Sequence, residues 1–214
     1  MSSSVQRKRV RKDPAARRAE IVAAAAAVAL VEGLECVTLR RIAEELDVRP
    51  GLISHYFPSA EDLVAEAFAA AATAEIDALI PERREEGTPT EHLARFLART
   101  TGEAYDAVSR LWINARHLSR YREVLRKRVA RQETVWRARL EGLVREGVEA
   151  GEFRTGDPLV TALQILVVLD GLGADANIGD EDLPEAVARM AFITAERELS
   201  LEPGTLTRLA GTGP

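Results

Sequence analysis

The side chains with the most chemistry to offer lie close together, between Thr38 and Tyr56. Arg40 and Arg49 bring guanidiniums, Thr38, Ser54 and Tyr56 bring hydroxyls, and His55 brings an imidazole. The stretch "RPGLISHYF", residues 49–57, opens with Pro50 and Gly51 and is too short to hold as an isolated helix. At helical spacing it divides into two faces. Ile53 and Phe57, with Val48 ahead, share one face and are predicted to pack on Ile42 and Leu46. Arg49, Leu52, His55 and Tyr56 share another. That second set suits a nucleic acid. Arg can grip a guanine edge, an apolar group can meet a thymine methyl, and Tyr or His can donate to phosphate. A three-helix surface whose aromatics are covered by a fourth helix accounts for the spacing equally well.

Catalytic signatures are mostly absent. The chain has no GxGxxG, no GxxxxGK[ST] and no GxSxG. Its three histidines, His55, His92 and His117, lack the spacing of a helical metal site. Asp170-Gly171-Leu172-Gly173 holds a lone GxG late in an apolar helix, where close helix packing explains it better than a nucleotide. The expectation is a protein that is not an enzyme and needs no cofactor or metal.

Start and stop signals divide the chain into helices. Asp13-Pro14 reads as a cap with Pro in the first turn, and Gly33 ends that helix. Thr38 caps Leu39 to Leu46, whose apolar residues recur at i, i+3, i+4, i+7. A break at Asp47-Val48-Arg49 precedes the 49–57 stretch. Ser59 with Asp62 resembles a capping box opening a helix to about Leu79. Thr88-Pro89 with Glu91 starts another near Thr90. Further helices run through Leu111 to Leu118, from about Tyr121 to Ala150, from Asp157-Pro158 onward, and from about Pro184 to Leu199. Glu133/Arg137, Glu141/Arg145 and Arg145/Glu149, four apart, read as a solvated, paired face. Nine helices are expected in an all-α fold, since β-branched alternating segments are scarce. The expected parts are a basic disordered arm at 1–13, a helix-turn-helix domain at 14–58, a larger helical domain at 59–203, and a frayed tail at 204–214.

The net charge of −5 hides an asymmetry. Residues 1–60 hold ten Lys/Arg against seven Asp/Glu, and the remainder holds nineteen against twenty-seven. A basic end on an acidic body favours a polyanion at that end, although a basic tail is as often only a solubilising arm. Cys36 is the lone cysteine, no apolar leader opens "MSSSVQRKRVRKD", and no apolar run reaches membrane-spanning length. A cytoplasmic protein with no membrane partner is expected.

The stretch "TLRRIAEELDVRPGLISHYFPSAEDLVAEAF" resembles the DNA-binding domain of the TetR family of transcriptional regulators. Thr38, Ile42-Ala43, Leu46, Val48 and Tyr56-Phe57 carry the likeness. The rest, with Leu111-Trp112, "GEFR" at 151–154 and "LDGL" at 169–172, is similar to the BetI-type ligand domain. Two positions depart from the family pattern: Asp47 stands where a turn Gly is common, and Ala60 where a phosphate-binding Lys is common. The resemblance implies a homodimer on palindromic double-stranded operator DNA, acting as a repressor that a small-molecule inducer releases. It assigns Thr38, Arg40, Arg49, Pro50, Gly51, Leu52, Ser54, His55 and Tyr56 to DNA contact. A helical ligand-binding or interaction module without DNA binding is the alternative, with Ala60 in its favour.

The 157–173 helix is apolar almost all round and therefore needs cover on both sides, from a symmetry mate or as a central core helix. Leu159, Leu163, Leu166, Val167 and Asp170, with Val187 and Met190 from the last helix, are the candidate interface. Phe68, Tyr105, Trp112, Arg116, His117 and Asp170 are candidates to line a pocket among the middle helices, though each has an ordinary core or surface explanation. Trp112 and Arg116, four apart, are the pair with most to offer a ligand.

Overall fold

The computed structural model describes residues 13–84, 86–101, 105–177 and 183–211. The basic arm expected before Asp13 lies outside them. Every described element is helical: eleven α-helices and one 3-10 turn. The first helix, α1 (Pro14–Glu32), starts where the Asp13 carboxylate accepts from the amides of Ala15 and Ala16, and stops at Gly33 with φ 96°. After the 3-10 turn Leu34–Cys36 come α2 (Leu39–Glu45) and α3 (Pro50–Tyr56). Ile21, Leu34, Ile42, Ile53 and Phe57 close a buried core among them. Each large side chain so buried contributes about 2–3 kcal/mol.

The long helix α4 (Ala60–Leu79) packs on α1 and on α7 (Glu123–Glu149), so one apolar core runs from Ile21 to Leu206. Ser59 caps α4 through the Glu61 amide rather than closing the reciprocal box expected with Asp62. The expected box does form at α5 (Pro89–Thr100), between Thr88 and Glu91. Helices α6 (Asp106–Ser119) and α8 (Pro158–Ala176) pack on α7 and on each other. A Cβ at Gly173 would lie 3.0 Å from the Ser109 Cβ, so the second glycine of the lone GxG serves close α6–α8 approach, while a Cβ at Gly171 would meet nothing within 4 Å.

The BetI-like "GEFR" turn is structural. Phe153 is buried over Gly147, where a Cβ would sit 2.1 Å from its ring. Glu152 accepts from the amide and hydroxyl of Thr90, and the Arg154 amide donates to the Leu199 carbonyl. One loop thereby ties α7 to α5 and to the C-terminal helices.

The count exceeds the expected nine for two reasons. The last helix is divided at Arg189 into α9 (Glu185–Ala188) and α10 (Met190–Glu198), although the α-type bonds Arg189 N to Glu185 O and Ile193 N to Arg189 O continue across. And the tail expected to fray forms α11 (Thr205–Ala210). The buried Glu196 carboxylate accepts from the amides of Gly204 and Leu206, both at 2.8 Å, and Leu206 is fully buried. That cap comes from a residue in the preceding helix, which no local cap rule detects.

By length and composition α8 alone among the described helices could cross a membrane. In the fold one side of it is covered by α6, α7 and α10. Leu159, Val160 and Val167 are exposed on it, as are Val187, Met190 and Ile193 on α9 and α10.

Candidate functional site

Two places bring polar side chains together. The first is the α2–turn–α3 unit. Thr38 caps α2 by accepting from the Arg41 amide at 3.0 Å, and its exposed hydroxyl keeps its own proton to donate. The turn is made at Asp47, whose φ is 49°, and the Val48 amide closes it on the Ala43 carbonyl at 2.9 Å. Asp is among the few residues that accept this left-handed conformation at modest cost, so the missing turn Gly does not undo the motif.

Pro50 stands in the first turn of α3 with its φ preset. Ile53 and Phe57 face inward and are buried, as the spacing predicted. Arg40, Arg49, Pro50, Gly51, Ser54 and His55 are exposed. Arg49 has no ion-pair partner among the described residues, while Arg40 is held only by Glu44, one turn on, at 2.9 Å. Ser54 returns a hydrogen bond to the Pro50 carbonyl at 3.3 Å. Leu52 and Tyr56 are half-buried, and the Tyr56 ring packs partly on the core with its edge against His55. Tyr56 is thus both anchor and display. Ala60 opens α4 beside this face, followed by Glu61 and Asp62 in the first turn.

The second place is a cavity of about 340 Å³ between α6, α7 and α8. Tyr105, Trp112, Arg116 and Asp170 line it, as the sequence suggested. Phe68 and His117 do not. Phe68 is fully buried behind the wall, its ring edge-on to Trp112 at 5.0 Å, and His117 is exposed and meets Tyr121. Leu163, Leu166, Val167 and Asp170, read from the sequence as interface, also line this cavity, so its wall adjoins the uncovered surface of α8.

Behind the cavity wall, bonded to two of its lining residues, lies Glu75, which sequence reasoning missed. It is buried on α4, where "TAEIDAL" reads as an ordinary solvated turn. Trp112 Nε1 donates to its Oε2 at 2.7 Å, and the Tyr105 hydroxyl donates to its Oε1. Burial pushes its carboxyl up to about 7, against the lowering effect of those two donors. Burial and the adjoining Glu75 carboxylate also push the Tyr105 phenol far up, keeping it a neutral donor.

Arg116 lies over the Trp112 ring at 5.3 Å and is gripped by Asp170 at 2.9 Å and Glu133 at 3.2 Å. Burial opposes its charge, but those carboxylates more than offset it and raise its pKa. Glu133 therefore belongs to the cavity and not only to the solvated face the i, i+4 spacing suggested. Arg145 turns to Glu141 rather than Glu149. Among the described residues no cluster of His, Cys, Asp and Glu could hold a metal ion.

Residues 21–67 match the family described as bacterial regulatory proteins, tetR family. Residues 89–199, more than half of the chain, match the BetI-type transcriptional repressor, C-terminal family. No curated protein matches the chain. Among solved structures it is similar to a putative TetR-family transcriptional regulator from Rhodococcus sp., with a TM-score of 0.72 and 21% identity over 86% of this chain and 99% of that one. A putative transcriptional regulator from Saccharomonospora viridis, solved in complex with choline, gives 0.71 and 21% over 86% and 98%. The transcriptional regulator FadR from Bacillus subtilis, in complex with stearoyl-CoA, gives 0.61 and 20% over 85% and 97%. At these identities the structures establish the fold, and the two sequence families establish membership. The chain belongs to the TetR family of transcriptional regulators, with a DNA-binding N-terminal domain joined to a BetI-type C-terminal domain.

Proposed function

We propose that this regulator is a homodimeric repressor that grips a palindromic operator and lets go when a small molecule enters the α6–α7–α8 cavity. The observation that carries the DNA half is the exposed face of α2 and α3. Among the described residues Arg49 has no ion-pair partner to give up, and Arg40 has only one exposed carboxylate to leave. Arg40, Arg49, Pro50, Gly51 and Leu52 are the base-reading set, and Thr38, Ser54, His55 and Tyr56 contact groove and backbone. One short helix offers few contacts, and two across a dyad supply enough. The uncovered apolar residues of α8, α9 and α10 support a two-fold helical interface between copies.

The small-molecule half rests on the cavity. Complexes with choline and with stearoyl-CoA among the structural neighbours indicate that the fold tolerates very different ligands, so the lining residues must decide. Here Glu133 and Asp170 face two guanidiniums, Arg116 and Arg137, while Trp112, Trp136 and Tyr105 add π faces and Glu75 anchors Trp112 and Tyr105 from behind. That composition favours a modest-sized, largely apolar molecule with a positive group, which would compete with Arg116 for the Trp112 face. Binding that is stronger in the released than in the gripping conformation then moves the two recognition helices off register.

Fluorescence anisotropy with DNA from upstream of the gene, at several salt concentrations, tests the reading. Sequence-selective, salt-weakened binding by a dimer is expected. A monomer by light scattering at micromolar concentration, or equal affinity for any duplex, would sink it.

A further inference from the structure

A second cavity, also of about 340 Å³, opens on the surface where the 80–84 segment crosses α5. It shares no lining residue with the central cavity. Its polar side chains are Arg83, Arg84, Arg95, Arg99 and His92, and no carboxylate is among its described lining residues. The setting makes this notable, because residues 61–214 carry nineteen basic and twenty-seven acidic groups. On α5, His92, Arg95 and Arg99 fall at i, i+3 and i+7, so one helix face presents all three. Gly87, with φ 141°, folds the preceding loop onto that face, and a Cβ there would stand 3.1 Å from Glu91 Oε2, which is taken up by the Thr88 amide, and 3.4 Å from Arg95 Nη2.

Two of the four arginines have structural occupations. Arg99 donates to the Ala78 carbonyl at 2.7 Å, at the C-terminal end of α4, and Arg84 is bonded to Glu146. Arg83 and Arg95 have neither carboxylate nor carbonyl partners among the described residues, and both are exposed. Arg84 is neutralised by Glu146, but Arg83, Arg95 and Arg99 have no carboxylate partner among the described residues, and an anion in the hollow would offset their mutual repulsion. The walls at Leu79, Ile80, Pro81 and Leu143 lower the local dielectric beside those charges.

We propose that this hollow is a binding site for a small phosphate-bearing polyanion, a di- or triphosphate, held by forked bonds from Arg83 and Arg95. Guanidiniums match phosphate oxygens in pairs, and the compact volume admits a diphosphate group but not a duplex. The site lies at the far end of α4 from the recognition helix. Twenty helical residues separate them by about 30 Å, so operator DNA does not reach it. It is therefore a second ligand site, independent of the reading proposed for the central cavity.

Isothermal titration of the full chain with inorganic pyrophosphate at low salt tests this. Wild type is expected to bind one equivalent per chain at this site, and Arg83→Ala/Arg95→Ala to bind at least about tenfold more weakly. Arg110→Ala/Arg126→Ala removes the same charge from exposed positions elsewhere and should leave the affinity unchanged. Arg83→Lys/Arg95→Lys keeps the charge but loses the fork, and should recover only part of the affinity. Equal weakening by both Ala pairs would show binding to net charge alone and overturn the site, as would no heat with wild type. Because all four positions are exposed, no variant's melting temperature without pyrophosphate should fall below wild type, which separates a lost site from a lost fold.

Discussion

Arg40 and Glu75 are both ionisable and both hydrogen-bonded, yet their bonds serve opposite ends. Arg40 is fully exposed and meets Glu44 one turn away on its own helix. Water screens that pair, so a phosphate or a guanine edge can take the guanidinium at little cost. Glu75 is buried and holds Tyr105 and Trp112, thirty and thirty-seven residues distant. Breaking those bonds strands donors away from water. The proposed DNA-reading face is thus a set of nearly free groups on a rigid turn, and the wall behind the proposed ligand cavity is a closed network. Recognition of a long, charged duplex needs the first, and selection of one small molecule needs the second.

The largest effect expected of this contrast is on operator affinity. Arg49→Ala with Tyr56→Phe removes a guanidinium and a hydroxyl from each subunit while keeping the Tyr56 ring on the core. Affinity should drop by about 100-fold or more, counting both half-sites, with little change in melting temperature. A large loss of stability with affinity intact would invert the comparison and make this face structural.

Much of this contrast was legible in the sequence on one side only. The helix-turn-helix was readable because its signals are local: Thr38 caps within three residues, Asp47 sits at the turn, and Ile53 and Phe57 alternate with the displayed groups at helical spacing. Glu75 was not readable, because a glutamate on an alanine-rich helix looks solvated until α6 closes over it. Glu133 was masked for a related reason, since its i+4 arginine offered a sufficient partner. Phe68 and His117 show the converse error: both have ligand-binding side chains, but one is sealed behind Trp112 and the other turned outward. The tail helix depended on Glu196, eight and ten residues from the amides it caps. Local pattern reveals elements and faces, while pairings across helices appear only with the packing.

The network side predicts a stability effect. Glu75→Ala leaves the Tyr105 hydroxyl and Trp112 Nε1 without an acceptor and opens space beneath them. A loss of about 2–4 kcal/mol is expected by urea denaturation near pH 7. Operator affinity of the folded fraction should change far less than in the α3 variant. An unchanged denaturation midpoint would mean that the network closes without Glu75.

The same carboxylate gives a pH dependence of somewhat smaller size. Its folded pKa is raised from 4.5 to about 7, so between those values the native state holds a proton that the unfolded state has released. Stability from this group therefore falls as pH rises from about 4.5 to about 7 and levels off above. The drop is at most on the order of 3 kcal/mol. Glu75→Gln cannot titrate, so its stability should run flatter across that window. Parallel wild-type and Glu75→Gln curves would assign the slope to other groups.

The smallest effect falls on the turn that holds the reading face in place. Asp47 carries φ 49°, a conformation that costs most L-residues about 1–2 kcal/mol and Asp somewhat less. Asp47→Gly removes that strain but loosens the unfolded chain by a comparable amount, so stability should stay within about 1 kcal/mol of wild type. Asp47→Val meets the full steric cost and has no side-chain oxygen to ease it. It should lose about 1–2 kcal/mol and also weaken operator binding, because the angle between α2 and α3 is set at this residue through the Val48-to-Ala43 bond. Thermal melting and anisotropy on the same two variants decide it. If Val matches Gly in both, the turn's angle is fixed by the packing of Ile42, Ile53 and Phe57, and the reading face depends on its buried side as fully as the cavity does.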